Sequence, residues 1–353
     1  MPTGLAERNY TDYSIERLPV YMLYIIKKDY FLADYILSAI AGNSDIEIID
    51  YQRIKCHGAK KIPFLIKRFV RAFVYNRKGL WTSMFFKETF LSRVQRIAPA
   101  DHVLFWGCEN LKELLILNNE ICCEKKDVFL WNPISTINRN AYSKWEYRHW
   151  LHRSGMTVST FDEGDGRKYG FNIVKQVYRK PDAKTETAGD KDEFDIFFVG
   201  VDKRRSATLE KLREAFDAQG LSYNINIITD KHTDKSDLLA GCYTDRPLPY
   251  EECLDMISKS RCVLEVLQSG QGGMTLRTLE ALFFKKKLIT NNTGILHSPI
   301  YSPNNIYIIG SGDKRSFREF VESPMDRIPD DTVCQYDISH WIRQFSLNSA
   351  ILL

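Results

Sequence analysis

Short apolar runs alternate with amphipathic stretches along most of the chain. Val20–Ile26 is apolar and stops at Lys27 and Lys28, which reads as a buried strand. Asp29–Ile40 has helical spacing, and Ile46–Ile49 reads as a second strand. After a basic region, Val103–Trp106 predicts a strand, Leu111–Asn119 a helix, Val128–Trp131 a strand, Ala141–Ser154 a helix and Thr157–Phe161 a strand. Pro181–Glu193 (PDAKTETAGDKDE) has no large apolar residue and reads as a linker. The beat then resumes. Asp195–Gly200 (DIFFVG) predicts a buried strand, Ser206–Gln219 a helix stopped by Gly220, and Tyr223–Thr229 a strand. Tyr250–Ser260 reads as an amphipathic helix, Cys262–Leu267 as a strand, Met274–Phe284 as a helix, and Leu288–Thr290 and Ile306–Ile309 as strands. Ser316–Glu322 and Ile338–Phe345 close the pattern as helices.

Strands that alternate with helices imply mostly parallel sheets. The fold class expected is α/β, with two Rossmann-like domains and a cleft between them. The domains expected are residues 1–165, a hinge or linker over 166–193, and residues 194–353, with the last helix crossing back to the first domain. A length of 353 residues fits two such units.

Composition narrows the class. The chain is 44% hydrophobic and 27% charged, ordinary for a globular protein. Met1–Glu16 is polar, and no apolar run near the start approaches the roughly 20 residues that span a bilayer. The eight cysteines form no C-x-x-C pair, which suits free thiols rather than a zinc site. The reading is a soluble cytoplasmic protein. Charge is uneven: Arg53–Arg96 carries twelve Lys or Arg and one acid, Glu88, while the whole chain is only +4. Bases interleaved with apolar residues in this segment describe basic amphipathic helices. Two readings stand side by side: peripheral contact with an anionic membrane, or a core-facing helix pair with a solvated basic back. No recognition motif supports nucleic acid.

The chemistry gathers in the second half. A strand runs into Ser269–Gly273 (SGQGG) and then a helix beginning MTLRTLEAL. Gly270, Gly272 and Gly273 permit close backbone approach, and the helix N-terminus favours an anion such as a diphosphate. Thr275 offers a hydroxyl in the first turn. Glu280, farther along the helix, is placed to accept ribose hydroxyls. Beyond the strand DIFFVG come Lys203 and Arg205, cations suited to a departing nucleoside diphosphate. His149 and His152 have helical i, i+3 spacing, but an aromatic-rich structural helix explains them better than a metal pair. Asp162, Glu163 and Asp165 form an acidic cluster at a hinge, and no D-x-D stands where a metal-bound sugar nucleotide would need it. No metal site is expected.

From Phe194 to Asn292 the sequence resembles bacterial GT-B glycosyltransferases of lipopolysaccharide, capsule and related surface-glycan pathways. The likeness lies in FFVGVDKRR, PYEECLDMISKSRCVLEV and above all QSGQGGMTLRTLEALFFKKKLITNN, with FDEGDGRKYGF as a further landmark. It covers about a hundred residues well. The resemblance implies a nucleotide-sugar donor, a glycan or lipid-linked acceptor and no cofactor. It implies that Lys203, Arg205, Gly272, Gly273, Met274 and Thr275 contact the diphosphate, that Glu280 holds the ribose, and that Tyr250 packs near the base. Many retaining relatives carry a glutamate eight positions before the one matching Glu280. Here that position is Gly272, so the stereochemical outcome stays open.

An inverting transfer needs a general base from the first domain. Glu109 and Asp29 follow strands there, and Asp162 lies between the domains. Asp29 has a plainer role available, as a helix cap. Two rivals share the sequence features: a nucleotide-sugar epimerase of the same fold, and a non-catalytic nucleotide-sugar-binding or scaffold subunit. If the acceptor is lipid-linked, the basic segment would dock the enzyme on the inner membrane face.

Overall fold

A computed structural model describes residues 21–52, 86–137, 144–182, 192–231, 233–267 and 273–345. The first sheet contains β1 (Leu23–Lys28), β2 (Ile46–Tyr51), β3 (His102–Trp106), β4 (Lys125–Leu130), β5 (Thr157–Thr160) and β6 (Asn172–Ile173). Their order is β2-β1-β3-β4-β5-β6, and every pairing is parallel. The connecting helices are α1 (Phe31–Leu37), α2 (Glu88–Val94), α3 (Leu111–Glu120), α4 (Lys144–Arg153) and α5 (Glu163–Tyr169). Parallel strands covered on both faces are mostly apolar, and β3 is buried at all five positions, its one polar side chain, His102, bonding Asp127 of β4 at 2.5 Å.

The second sheet contains β7 (Phe194–Val201), β8 (Tyr223–Ile228), β9 (Tyr243–Thr244), β10 (Ser260–Glu265), β11 (Lys287–Thr290) and β12 (Ile306–Ile308). Read from β9, the order is β9-β8-β7-β10-β11-β12, again parallel. The chain reverses its direction of winding between β7 and β10. Its helices include α6 (Ser206–Ala218), α7 (Tyr250–Ser258), α8 (Leu276–Phe283) and α9 (Phe317–Glu322). The expected α/β architecture of two Rossmann-like domains is therefore the observed one.

One apolar cluster draws on both sheets. It joins Ile25, Leu104 and Phe129 to Val199, Val263 and Leu279 through Val177, Tyr178, Tyr336, Ile338 and Trp341. After α10 (Asp330–Cys334), α11 (Ile338–Trp341) returns to the first sheet. There Trp341 meets Trp106 and Phe129 with ring centroids 5.3 and 4.8 Å apart, and its indole N–H donates to Lys175 O at 2.8 Å. Beside this contact Tyr178 N donates to Tyr336 O at 2.9 Å, and Ile338 N donates to Tyr178 O at 2.8 Å.

One boundary differs from expectation. The hinge predicted from residue 166 starts later, because Glu163–Tyr169 is helical and Asn172–Ile173 is the edge strand of the first sheet. Asp162 caps this helix, accepting from Asp165 N at 2.8 Å, and Gly170 ends it at φ 68°. The acidic cluster is thus a helix start. Of the basic segment, residues 53–85 lie outside the described residues. Its described end, α2, buries Phe90, Leu91 and Val94 in the core and turns Arg93 outward to Glu47 at 2.8 Å. Among the described residues no helix is long and apolar enough to cross a membrane.

Candidate functional site

In a doubly wound sheet, ligands sit beyond the carboxyl ends of the strands where the winding reverses. In the second sheet that point lies between β7 and β10. Strand β7 runs into Asp202, 1% exposed, whose Oδ1 accepts from Arg205 N at 3.0 Å, Ser206 N at 2.9 Å and Ser206 Oγ at 2.8 Å. The carboxylate anchors the start of α6, so the two residues between must turn tightly. Lys203 and Arg204 have φ of 44° and 65°, unusual for residues with a side chain, and both are exposed. Arg205 is placed differently. Its guanidinium donates to Val266 O at 2.8 Å, to Asp202 O at 3.1 Å and to Val201 O. It stitches the ends of β7 and β10 together, and burial pulls its pKa down. Of the two cations expected at the diphosphate, Lys203 is exposed at the turn, whereas Arg205 is largely a strut.

The glycine-rich loop begins after Leu267. Gly272 lies outside the described residues. Both loop ends are pinned by the two asparagines that follow β11. Asn291 accepts from Leu267 N at 2.7 Å and donates to Leu267 O at 3.2 Å, and Asn292 donates to Gly273 O at 2.9 Å. Gly273 has φ 84° and lies against the first domain: a Cβ there would stand 3.5 Å from the Phe161 ring and 3.9 Å from Asp162 Oδ2. Thr275 caps α8, its Oγ1 accepting from Arg277 N at 3.1 Å. The same hydroxyl donates its one proton to Glu265 Oε1. In this arrangement the Thr275 hydroxyl proton, expected at a diphosphate, is directed at Glu265. Gly273, Met274 and Thr275 still place their backbone at the head of the helix, where its dipole favours an anion.

Glu280 is 2% exposed. Oε1 accepts from the Tyr250 hydroxyl at 2.8 Å, and Oε2 pairs with Arg277. The Tyr250 hydroxyl also lies 2.6 Å from that of Tyr178, and its ring packs on Phe31 and Tyr35 of α1 at 5.5 and 5.1 Å. Burial, then the Glu280 charge, lifts the Tyr250 phenol well above its ordinary range. Tyr250, expected near a base, is occupied instead in the contact between domains. Arg277 also reaches Val199 O at 3.3 Å.

Across the cleft lie the three carboxylates proposed as bases. Asp29 is exposed just beyond β1. It does not cap α1: Tyr30 is the cap residue, and no side chain bonds there. Glu109 follows β3, with Oε1 accepting from Asn132 N at 2.8 Å and Asn132 Nδ2 at 2.9 Å. Burial raises its carboxyl pKa, and the bonds from Asn132 oppose that rise. Asp162 follows β5 and faces Gly273. Thus β1, β3 and β5 are each followed by one of the three carboxylates at the carboxyl edge of the first sheet. His152 bonds Tyr169 O at 3.0 Å and His149 lies edge-on to Trp150. Among the described residues no group of three or more His, Cys, Asp or Glu is placed to hold a metal, and the seven described cysteines are free.

Several solved structures resemble the chain over most of its length. They include the sucrose-phosphate synthase of Thermosynechococcus elongatus, with a TM-score of 0.48 and 11% identity over 85% of this chain and 88% of that one. A glycosyltransferase involved in avilamycin A biosynthesis gives 0.43 and 11% over 69% and 84%. The glycotransferase of kitacinnamycin gives 0.41 and 10% over 86% and 91%. No family model and no curated protein matches the chain.

A residue that sequence reasoning passed over is Glu265, the last of β10. It is 3% exposed and accepts from three threonines: Thr275, Thr278 at 3.1 Å and Thr290 at 2.5 Å. Its signal was a carboxylate closing an apolar strand in VLEVL. A cavity of about 710 Å³ lies elsewhere, at the far end of α8 among Ala281, Phe283, Ile300, Ile306 and Val333. None of the expected site residues lines it.

Proposed function

We propose that this chain is a glycosyltransferase. It takes a nucleotide-sugar at the carboxyl edge of the second sheet and passes the sugar to an acceptor on the edge of the first. One observation supports the reading: the exposed Lys203-Arg204 turn follows β7 and the Gly273–Thr275 helix head follows β10, the two strands at the winding reversal, and Gly273 lies against Phe161 and Asp162 of the first domain. A nucleoside diphosphate suits the cationic turn and the helix dipole. Stabilising its charge as it leaves is the main work asked of that side.

On this reading Lys203 contacts the diphosphate, with Arg205 bracing the crevice wall. Gly273, Met274 and Thr275 bind through the backbone, together with Gly272. Glu280 accepts the ribose hydroxyls after the Tyr250 hydroxyl moves aside, and the Tyr250 ring then borders the base. Glu109 is the favoured general base, because burial raises its proton affinity while Asn132 fixes its orientation; Asp29 and Asp162 are the alternatives. The acceptor is a glycan or a lipid-linked glycan of bacterial surface polysaccharide synthesis. The transfer uses neither metal nor cofactor, and the basic segment holds the enzyme on the cytoplasmic membrane face.

The test is thermal stabilisation by UDP-, GDP-, dTDP-, CMP- and ADP-linked sugars, with and without EDTA. Ligand at about a hundredfold excess over Kd adds about 2.7 kcal/mol to stability. A shift confined to one nucleotide class and indifferent to EDTA supports the reading. No shift with any of them removes it.

A further inference from the structure

The tripeptide Gly273-Met274-Thr275 must hold its backbone still if it is to bind an anion. Two chains of hydrogen bonds reach it, and both start at Glu265. Through Oε1 the carboxylate takes the proton of Thr275 itself and, at 3.1 Å, that of Thr278 one turn on. Through Oε2 it takes the proton of Thr290 at 2.5 Å. Thr290 Oγ1 in turn accepts from Asn292 N at 3.0 Å, and Asn292 Nδ2 donates to Gly273 O at 2.9 Å. The two arms thus close on either end of the tripeptide. Strand register makes this possible, since Glu265 and Thr290 are direct neighbours across β10 and β11 and project to the face that α8 covers.

A buried carboxylate is costly, and a threonine needs an acceptor for its proton. An apolar residue at the end of β10 would avoid the first cost and fill the space. Three hydroxyls converging on one carboxylate fix three rotors at once, with charge-assisted bonds stronger than neutral ones. What that fixes is the geometry at the head of α8.

We propose that Glu265 is a positioning residue that sets the Gly273–Thr275 backbone for the donor diphosphate without touching it. This rests on the donor-site reading above. The experiment is isothermal titration of the full chain with UDP, GDP, dTDP, ADP and CDP. The best binder is then compared with its own nucleoside monophosphate in Glu265→Gln, Thr275→Val and Thr275→Ser. Glu265→Gln and Thr275→Val are expected to weaken the diphosphate by about tenfold or more and the monophosphate much less. Thr275→Ser, which restores the hydroxyl, is expected to recover most of what Thr275→Val loses. A general loss of packing would instead weaken both ligands alike and lower the thermal midpoint without this selectivity. Equal losses for the two ligands, or unchanged diphosphate binding in Thr275→Val, would overturn the proposal even if Glu265→Gln fails to fold. Wild-type protein that binds none of the five would overturn the donor-site reading and the proposal with it.

Discussion

The hydroxyl of Tyr250 donates to Oε1 of Glu280 at 2.8 Å, and this bond ties a buried carboxylate of the second domain to a side chain that packs on the first. Glu280 is closed to solvent in this arrangement, with Arg277 on its other oxygen. A ribose at Glu280 must displace Tyr250 and loosen its grip on Phe31 and Tyr35. Donor binding and movement of α1 are therefore linked on the proposed function. Tyr250→Phe removes the competing donor. It is expected to tighten nucleoside diphosphate binding by about threefold or more, because less of the protein is held in the closed arrangement. It is also expected to lower unfolding stability by about 1–3 kcal/mol, since Glu280 loses a buried partner. Calorimetric titration and urea unfolding measure the two; weaker nucleotide binding in the variant would refute the exchange.

Trp341 holds the returning C-terminal segment to the first sheet through Trp106, Phe129 and the carbonyl of Lys175. Trp341→Ala is expected to cost about 3–5 kcal/mol, as for other large buried aromatics. Equilibrium urea unfolding reads the loss. A cost within about 0.5 kcal/mol, typical of exposed positions, would mean the contact is peripheral.

Glu113 gives a pH signature. Burial pushes its carboxyl from 4.5 up to about 7, with Lys28 opposing, and Tyr51 donates to it. Between those values the folded chain still holds a proton that the unfolded chain has released. Stability from this group therefore falls as pH rises from about 4.5 to about 7. Glu113→Gln is expected to flatten that part of a plot of thermal midpoint against pH. An unchanged slope would show that Glu113 titrates normally.

Gly166 sits where α5 meets β6. A Cβ there would lie 2.3 Å from Ile173 Cγ1, closer than atoms can pack. Gly166→Ala is expected to cost about 1–3 kcal/mol. Ile173 is 51% exposed, so Ile173→Ala should cost little and should rescue most of the loss in the double variant. Additive losses in the double-mutant cycle would place the strain elsewhere.

The sequence showed most elements within one or two residues of where they fall, because strand and helix periodicity is a local property. DIFFVG became β7, and TLRTLEALF became the cap and body of α8. The FDEGDG stretch was harder. Two glycines and three acids read as a hinge, yet Asp162 caps a helix there and Gly166 lets β6 approach. Composition pointed one way, and a cap bond with a close packing contact decided the other.

By itself the sequence determined the alternation of apolar strands with amphipathic helices, and hence two parallel sheets. It also located the glycine loop ahead of α8 and the cations after β7. Side-chain partners across the fold were decided only by the tertiary structure. Arg205 reads as a free cation in DKRRS, but the carbonyl of Val266 claims it from sixty-one positions away. Tyr250 and Glu280 are thirty positions apart, and Glu265 and Thr290 twenty-five. Periodicity reports which face a residue occupies. Which polar atom meets which is set by strand order and register, because a buried donor or acceptor must find its partner among whatever the fold brings within reach.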